Sequence, residues 1–180
     1  MTECTRCGES RILGVDLPAF EAGDASNGRA IVYGTNRRLA TGFVYVRREL
    51  SEDLLDDAYG RLADFFALPQ EREERYTVDG ANGQTGYTGL LVETAAVSDV
   101  PDWKEMLNWS APVPIGHPLR HRFPHRYGDP TLPDDDLPGT TEVLLEFHRV
   151  TLDLQRRVLR ILAVGLGVDE GFFDAMLRDG

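Results

Sequence analysis

The chain has 180 residues, enough for one domain, or one and a small piece, with a core that needs no disulfide staples. Its formal net charge of -11 repels phosphate backbones and anionic lipid headgroups, so neither nucleic acid nor a membrane surface is expected as a partner. No apolar run is long enough to span a bilayer, and the opening "MTECTRCGES" has no apolar leader; a cytoplasmic protein is expected, with residues 1–10 disordered.

Cys4 and Cys7 form one C-x-x-C near the start. A structural zinc needs four ligands and no second pair exists, while a redox pair should follow a strand and open a helix. A reduced terminal pair is the plainer reading.

"RILGVDLPAF", 11–20, has a short apolar run closed by Pro18 and reads as a brief strand or an extended entry segment. Residues 21–30 are turn-rich, and 29–42 fit a short broken helix. "FVYVRREL", 43–50, is β-branched and aromatic, which predicts a strand. Ser51 then caps a helix over 51–69, with Leu54, Leu55, Ala58, Tyr59, Leu62, Phe65 and Phe66 at helical spacing and Pro69 as its stop. "QEREERY", 70–76, reads as a charged, solvated turn.

Four glycines make 77–91 a loop, but neither a G-x-x-x-x-G-K-[ST] nor a G-x-G-x-x-G phosphate cradle is present. Seven prolines in 111–139 predict a long meander without regular helix. The strongest element is the last. Val143, Phe147, Val150, Leu154, Val158 and Ile161 step along one face of a helix of about 24 residues, or about 36 Å. Gly165 and Gly167 should end it, and 169–180 should start a short further helix. The fold class is α+β, richer in helix than in strand.

Chemistry is sparse. His117, His121, His125 and Asp129 recur every four residues, a metal-ligand spacing on a helix. Pro118 and Pro124 break any long helix there, and interleaved arginines oppose a cation, so no metal site is expected. His148, on the long helix, reads as a satisfied, partly buried side chain. Asp134 to Asp136 read as solvated loop charges. No G-x-S-x-G is present, and no catalytic residue is assigned.

In order along the chain, "GFVYV" (42–46), "LLDDAYGRLADFFALPQEREERY" (54–76), "QTGYTGLLVETA" (84–95), "DWKEMLNWS" (102–110), the proline-rich run and "GVDEGFFDAML" resemble segments of the isopenicillin N synthase-like family of non-haem Fe(II) oxygenases, most of which use 2-oxoglutarate. The resemblance covers the family's N-terminal region. It implies an N-terminal helical and strand domain over 11–139 with a proline-rich arm. Residues 140–180 would then hold a long core helix and the start of a double-stranded β-helix jelly roll, here lacking most of its length. The family's iron triad begins with H-x-D and its 2-oxoglutarate site uses R-x-S. Neither motif occurs here, so Fe(II) and 2-oxoglutarate are expected of a full-length parent and not of this chain alone. The expected partners are a small-molecule substrate and the missing jelly-roll portion.

The resemblance also names residues. Gln84, Tyr87 and Thr88 lie where the family's R-G-Y loop meets substrate; a tyrosine filling the loop's own core is the alternative for Tyr87. Asp102, Trp103, Lys104 and Glu105 match the family's D-x-K-E, a structural joint in which Lys104 and Glu105 are expected to pair over Trp103. Two readings of function stand: the substrate-side domain of an oxygenase, inactive alone, or a stand-alone binding and interaction module derived from that family.

Overall fold

The computed structural model describes residues 13–26, 28–29, 44–47 and 50–177. Residues 1–10 and nearly all of the broken helix predicted over 29–42 lie outside them. Contacts divide the chain into two compact units, Met1–Glu49 with Thr151–Gly180, and Leu50–Val150.

In the first unit, strand β1 (Leu13–Asp16) pairs in parallel with β2 (Val44–Arg47). The brief strand is present and ends at Asp16, just before Pro18. Pro18 sits in the first turn of α1 (Leu17–Glu21), where its missing N–H would have no helical acceptor anyway. Asp16 caps that turn by accepting from the Ala19 N–H at 3.0 Å. Val15, Leu17, Phe20 and Ile161 form the core, flanked by Val46, Leu154 and Leu162. Arg157 forks onto both carboxylate oxygens of Glu21, at 2.6 and 2.8 Å.

The second unit begins with α2 (Glu52–Phe65), capped by Ser51 as predicted. Its buried face centres on Ala58 and Phe65. Tyr59 belongs to the predicted stripe but is 66% exposed, its ring edge-on to Phe147. A one-turn α3 (Gln70–Glu73) runs into a 3-10 turn, Glu74–Tyr76. Strand β3 (Gly86–Thr88) pairs antiparallel with β4 (Met106–Asn108), setting Tyr87 opposite Leu107.

Gly86 is required at its place: φ is +76°, and a Cβ there would lie 2.5 Å from the Tyr76 carbonyl oxygen. Tyr76, Tyr87, Leu107, Leu132 and Leu144 close the core around Phe65. The Phe65 ring meets Tyr76 and Tyr87 edge-on, both at 5.8 Å between centroids.

The proline-rich segment departs from its prediction. It carries α4 (Pro118–Arg122) and α5 (Pro124–Tyr127), each opened by its proline. Proline forbids a helix interior but suits the first position.

Helix α6 (Thr140–Leu166) is three residues longer than predicted, 27 in all, and has residues in both units. Gly165 lies inside it; Gly167, at φ +76°, follows its end. Among the described residues of the predicted last helix, a 3-10 turn spans Asp174–Leu177.

Of the acidic run before α6, Asp135 is exposed as expected, but Asp134 and Asp136 are not free solvated charges. Asp134 accepts from the Gly139 N–H at 2.8 Å and the Thr141 N–H at 2.9 Å, satisfying amides at the helix start that have no intrahelical acceptor. The Asp136 side chain is 2% exposed and is gripped by Arg72, Arg75 and the Tyr76 hydroxyl. The Tyr76 hydroxyl first, then the two guanidiniums, hold the Asp136 carboxyl below the usual aspartate range. Burial, with Asp136 behind it, pushes the Tyr76 phenol up to about 12.

Candidate functional site

Within the second unit, residues 70–93 enclose an open cavity of about 640 Å³. That volume lies within the range of small-molecule sites. Three carboxylates line it (Glu74, Asp79 and Glu93) and no lysine or arginine does. Val78, Leu90 and Val92 supply apolar wall. Glu93 and Thr88 approach Gly83 closely: a Cβ there would come within 3.1 Å of Glu93 Oε1 and 3.4 Å of Thr88 Oγ1.

Of the residues placed at the substrate side by sequence, Tyr87 and Thr88 line this cavity and Gln84 does not. Gln84 is exposed on a turn, its N–H donating to the Ala81 carbonyl at 3.0 Å. Tyr87 has two faces. Its ring is in the core against Phe65, so the packing alternative holds for the ring, while the residue also borders the cavity.

Tyr87 also joins two carboxylates. Its hydroxyl lies 3.1 Å from Glu73 Oε2 and 2.9 Å from Glu105 Oε2. One hydroxyl hydrogen cannot satisfy both acceptors fully. Burial pushes the Glu73 carboxyl up, and the charges of Glu105 and Glu74 add to this against the Tyr87 hydrogen bond. Burial, then the two carboxylates, pushes the Tyr87 phenol well above its ordinary value.

The reading of "QEREERY" as a solvated charge run missed Glu73, which is 4% exposed. The only signal was the three-residue step from Glu73 to the buried Tyr76.

The contacts of the D-x-K-E segment differ from those expected. Lys104 and Glu105 do not pair. Lys104 Nζ binds Glu93 Oε2 at 2.8 Å and Asp102 Oδ2 at 3.5 Å, while Glu105 turns the other way to Tyr87. Neighbours one apart on extended chain point to opposite faces, which separates the two charges. The Glu93 carboxylate, first by hydrogen bond and then by charge, raises the Lys104 pKa.

Trp103 packs beneath neither; it is 79% exposed. Asp102 ties the segment to the 91–93 stretch through its backbone, donating to the Glu93 carbonyl at 2.7 Å and accepting from the Leu91 N–H at 3.0 Å.

The histidine spacing does not assemble a metal site. His117 Nδ1 accepts from the Leu119 N–H at 3.3 Å, and Asp129 is paired with Arg120 at 2.7 Å. Among the described residues no group of three or more His, Cys, Asp or Glu side chains is placed to hold a metal ion. These residues do not fit an iron triad, and an acidic wall does not fit the dianion 2-oxoglutarate. His148 is not satisfied as predicted: its Nδ1 is buried with no hydrogen-bond partner among the described residues. No helix among the described residues is long and apolar enough to cross a membrane.

An α+β chain with a long helix towards its end, and a cavity beside a short β-ribbon, has counterparts of known structure. A 2OG-Fe(II) oxygenase family protein from Caulobacter crescentus superposes with a TM-score of 0.75 at 24% identity, over 92% of this chain and 52% of that one. That likeness establishes the fold. Residues 39–133 match the family model described as non-haem dioxygenase in morphine synthesis N-terminal, and the chain belongs to that family.

Among curated relatives it is 26% identical over 134 residues to a kihadalactone A synthase of Citrus sinensis, an alignment covering 73% of this chain and 39% of that protein. It is 29% identical over 140 residues to a 2-oxoglutarate-Fe(II) type oxidoreductase of Emericella nidulans, covering 75% of this chain and 38% of that one. The chain thus spans less than half the length of the curated relatives it matches.

Proposed function

We propose that the chain is the substrate-side domain of a non-haem Fe(II)/2-oxoglutarate-dependent oxygenase that hydroxylates or desaturates a small molecule. In this reading residues 11–139 form the N-terminal domain, and 140–180 form the long helix and the start of the oxygenase core. The iron ligands and the 2-oxoglutarate site lie on a jelly-roll portion carried further along the same polypeptide, so the 180 residues alone have no turnover. The protein works in the cytoplasm, without nucleic acid or membrane as partner.

The family match over residues 39–133 carries this reading. The cavity beside Tyr87 and Thr88 supports it, because a cavity of small-molecule size borders two residues expected on the substrate side. Thr88 presents a hydroxyl to that surface, and Tyr87 is fixed by Glu73 and Glu105. Asp102 and Lys104 hold the 91–93 stretch that forms one wall.

The test is release of CO2 from carboxyl-labelled 2-oxoglutarate by the native protein isolated from its source, with Fe(II) and O2 supplied. Fe(II)-dependent release, absent from the 180-residue chain by itself, is the expected result. A native protein that releases none with Fe(II) restored overturns the reading.

A further inference from the structure

Two side-chain oxygens converge on one point of the cavity wall, beside Gly83. Glu93 commits Oε2 to Lys104 and sets Oε1 on the cavity wall, 3.1 Å from where a Cβ on Gly83 would stand. Thr88 Oγ1 faces the same point. Thr88 is 6% exposed, lines the cavity, and its hydroxyl makes no hydrogen bond among the described residues. A hydroxyl on the cavity wall with no protein partner is open to a donor from whatever enters. Asp79, on the same wall, has no ion pair or hydrogen bond among the described residues either. Val78, Leu90 and Val92 are the apolar counterpart.

We infer that the cavity takes an organic ammonium: a ligand with one cationic N–H group and an apolar body. The ammonium donates to Glu93 Oε1 and the Thr88 hydroxyl oxygen, with Asp79 adding charge, and the apolar body lies against Val78, Leu90 and Val92. Three N–H donors on a tetrahedral nitrogen suit several acceptors on one wall. An anion is disfavoured by a wall with three carboxylates, of which Glu93 alone is paired with a cation among the described residues. This inference rests on the reading of the cavity as the substrate side, and names the class of molecule that side admits.

Two probes of one shape separate the inference from that reading: phenethylamine and its neutral counterpart 2-phenylethanol. Each is titrated into the isotopically labelled chain at physiological ionic strength, and amide shifts are followed. Phenethylamine is expected to move amides of residues 77–93 to saturation, with 2-phenylethanol at least about tenfold weaker, the worth of one charge-assisted hydrogen bond.

Thr88→Val keeps the shape and removes the hydroxyl, and is expected to weaken phenethylamine several-fold. Asp79→Asn, at an exposed position, is expected to weaken it less and reports on charge even where the Thr88 variant fails to fold. Equal binding of both probes overturns the ammonium inference and leaves the cavity as a small-molecule site. Failure of both probes to shift 77–93 counts against both. Amine binding unaffected by either variant also overturns the inference, since it then reports only the chain's overall negative charge.

Discussion

The Tyr87 hydroxyl lies 3.1 Å from Oε2 of Glu73, a residue that is 4% exposed. Glu73 is held above the usual glutamate range by burial. A group raised in the folded state contributes stability that is complete below its unfolded value, near 4.5, and is lost as pH rises through the folded value. Ionised Glu73 therefore costs stability at neutral pH. Glu73→Gln keeps the shape and both hydrogen-bonding roles without the charge. The variant is expected to be more stable than the parent at neutral pH and no more stable below about pH 4.5. Urea denaturation at the two pH values measures this; a less stable variant at neutral pH contradicts it.

Asp136 works with the opposite sign. Its carboxyl is held low by Tyr76, Arg72 and Arg75. Its contribution is complete above the ordinary aspartate value of 3.8 and is lost as pH falls through the lower folded value. Asp136→Asn is expected to lower Tm at neutral pH, with the deficit vanishing in acid. A deficit that persists unchanged at the acid end would show that shape, not charge, matters there.

Removing the cap of α6 has a local effect. Asp134→Ala strands the Gly139 and Thr141 amides and is expected to cost about 1 kcal/mol, within the range for cap deletions. Amide exchange should quicken first in the opening turn of α6. Unchanged exchange there would show that water replaces the carboxylate without loss.

Trp103 and Trp109 are expected to behave differently. Trp109 is half-buried and donates its ring N–H to the Leu144 carbonyl at 3.2 Å. Trp109→Phe should cost about 1 kcal/mol for that bond, plus some packing. Trp103→Ser, at a position 79% exposed, should stay within about 0.5 kcal/mol of the parent. Comparable losses in thermal melts would put Trp103 under the D-x-K-E segment after all.

What the sequence made legible was what local periodicity and capping determine. Ser51 marked α2, and the stripe from Val143 to Ile161 marked α6, because each is a pattern of neighbours three and four apart. The same logic misread the prolines. Pro18, Pro118 and Pro124 each open a short helix, and a proline's effect depends on whether it stands at the first turn or in the interior.

The charged residues were hidden for another reason. Glu73, Asp134 and Asp136 look like any solvated carboxylate until distant partners are in place. Tyr87 stands 14 residues from Glu73, and Tyr76 stands 60 from Asp136. Tyr87 and Thr88 came through the family resemblance. Asp79 and Glu93 were not singled out, because only the fold of 77–93 brings them to one wall.

The most direct measurement is the intact mass of the native protein from its source cells. The proposed reading predicts a mass about twice 20.1 kDa, since this chain spans 52% of the Caulobacter crescentus oxygenase family protein. The extra length should contain an H-x-D followed by a further histidine. A native mass of 20.1 kDa would contradict the account, because no jelly roll would then be joined to this domain, and a free-standing binding module would replace it.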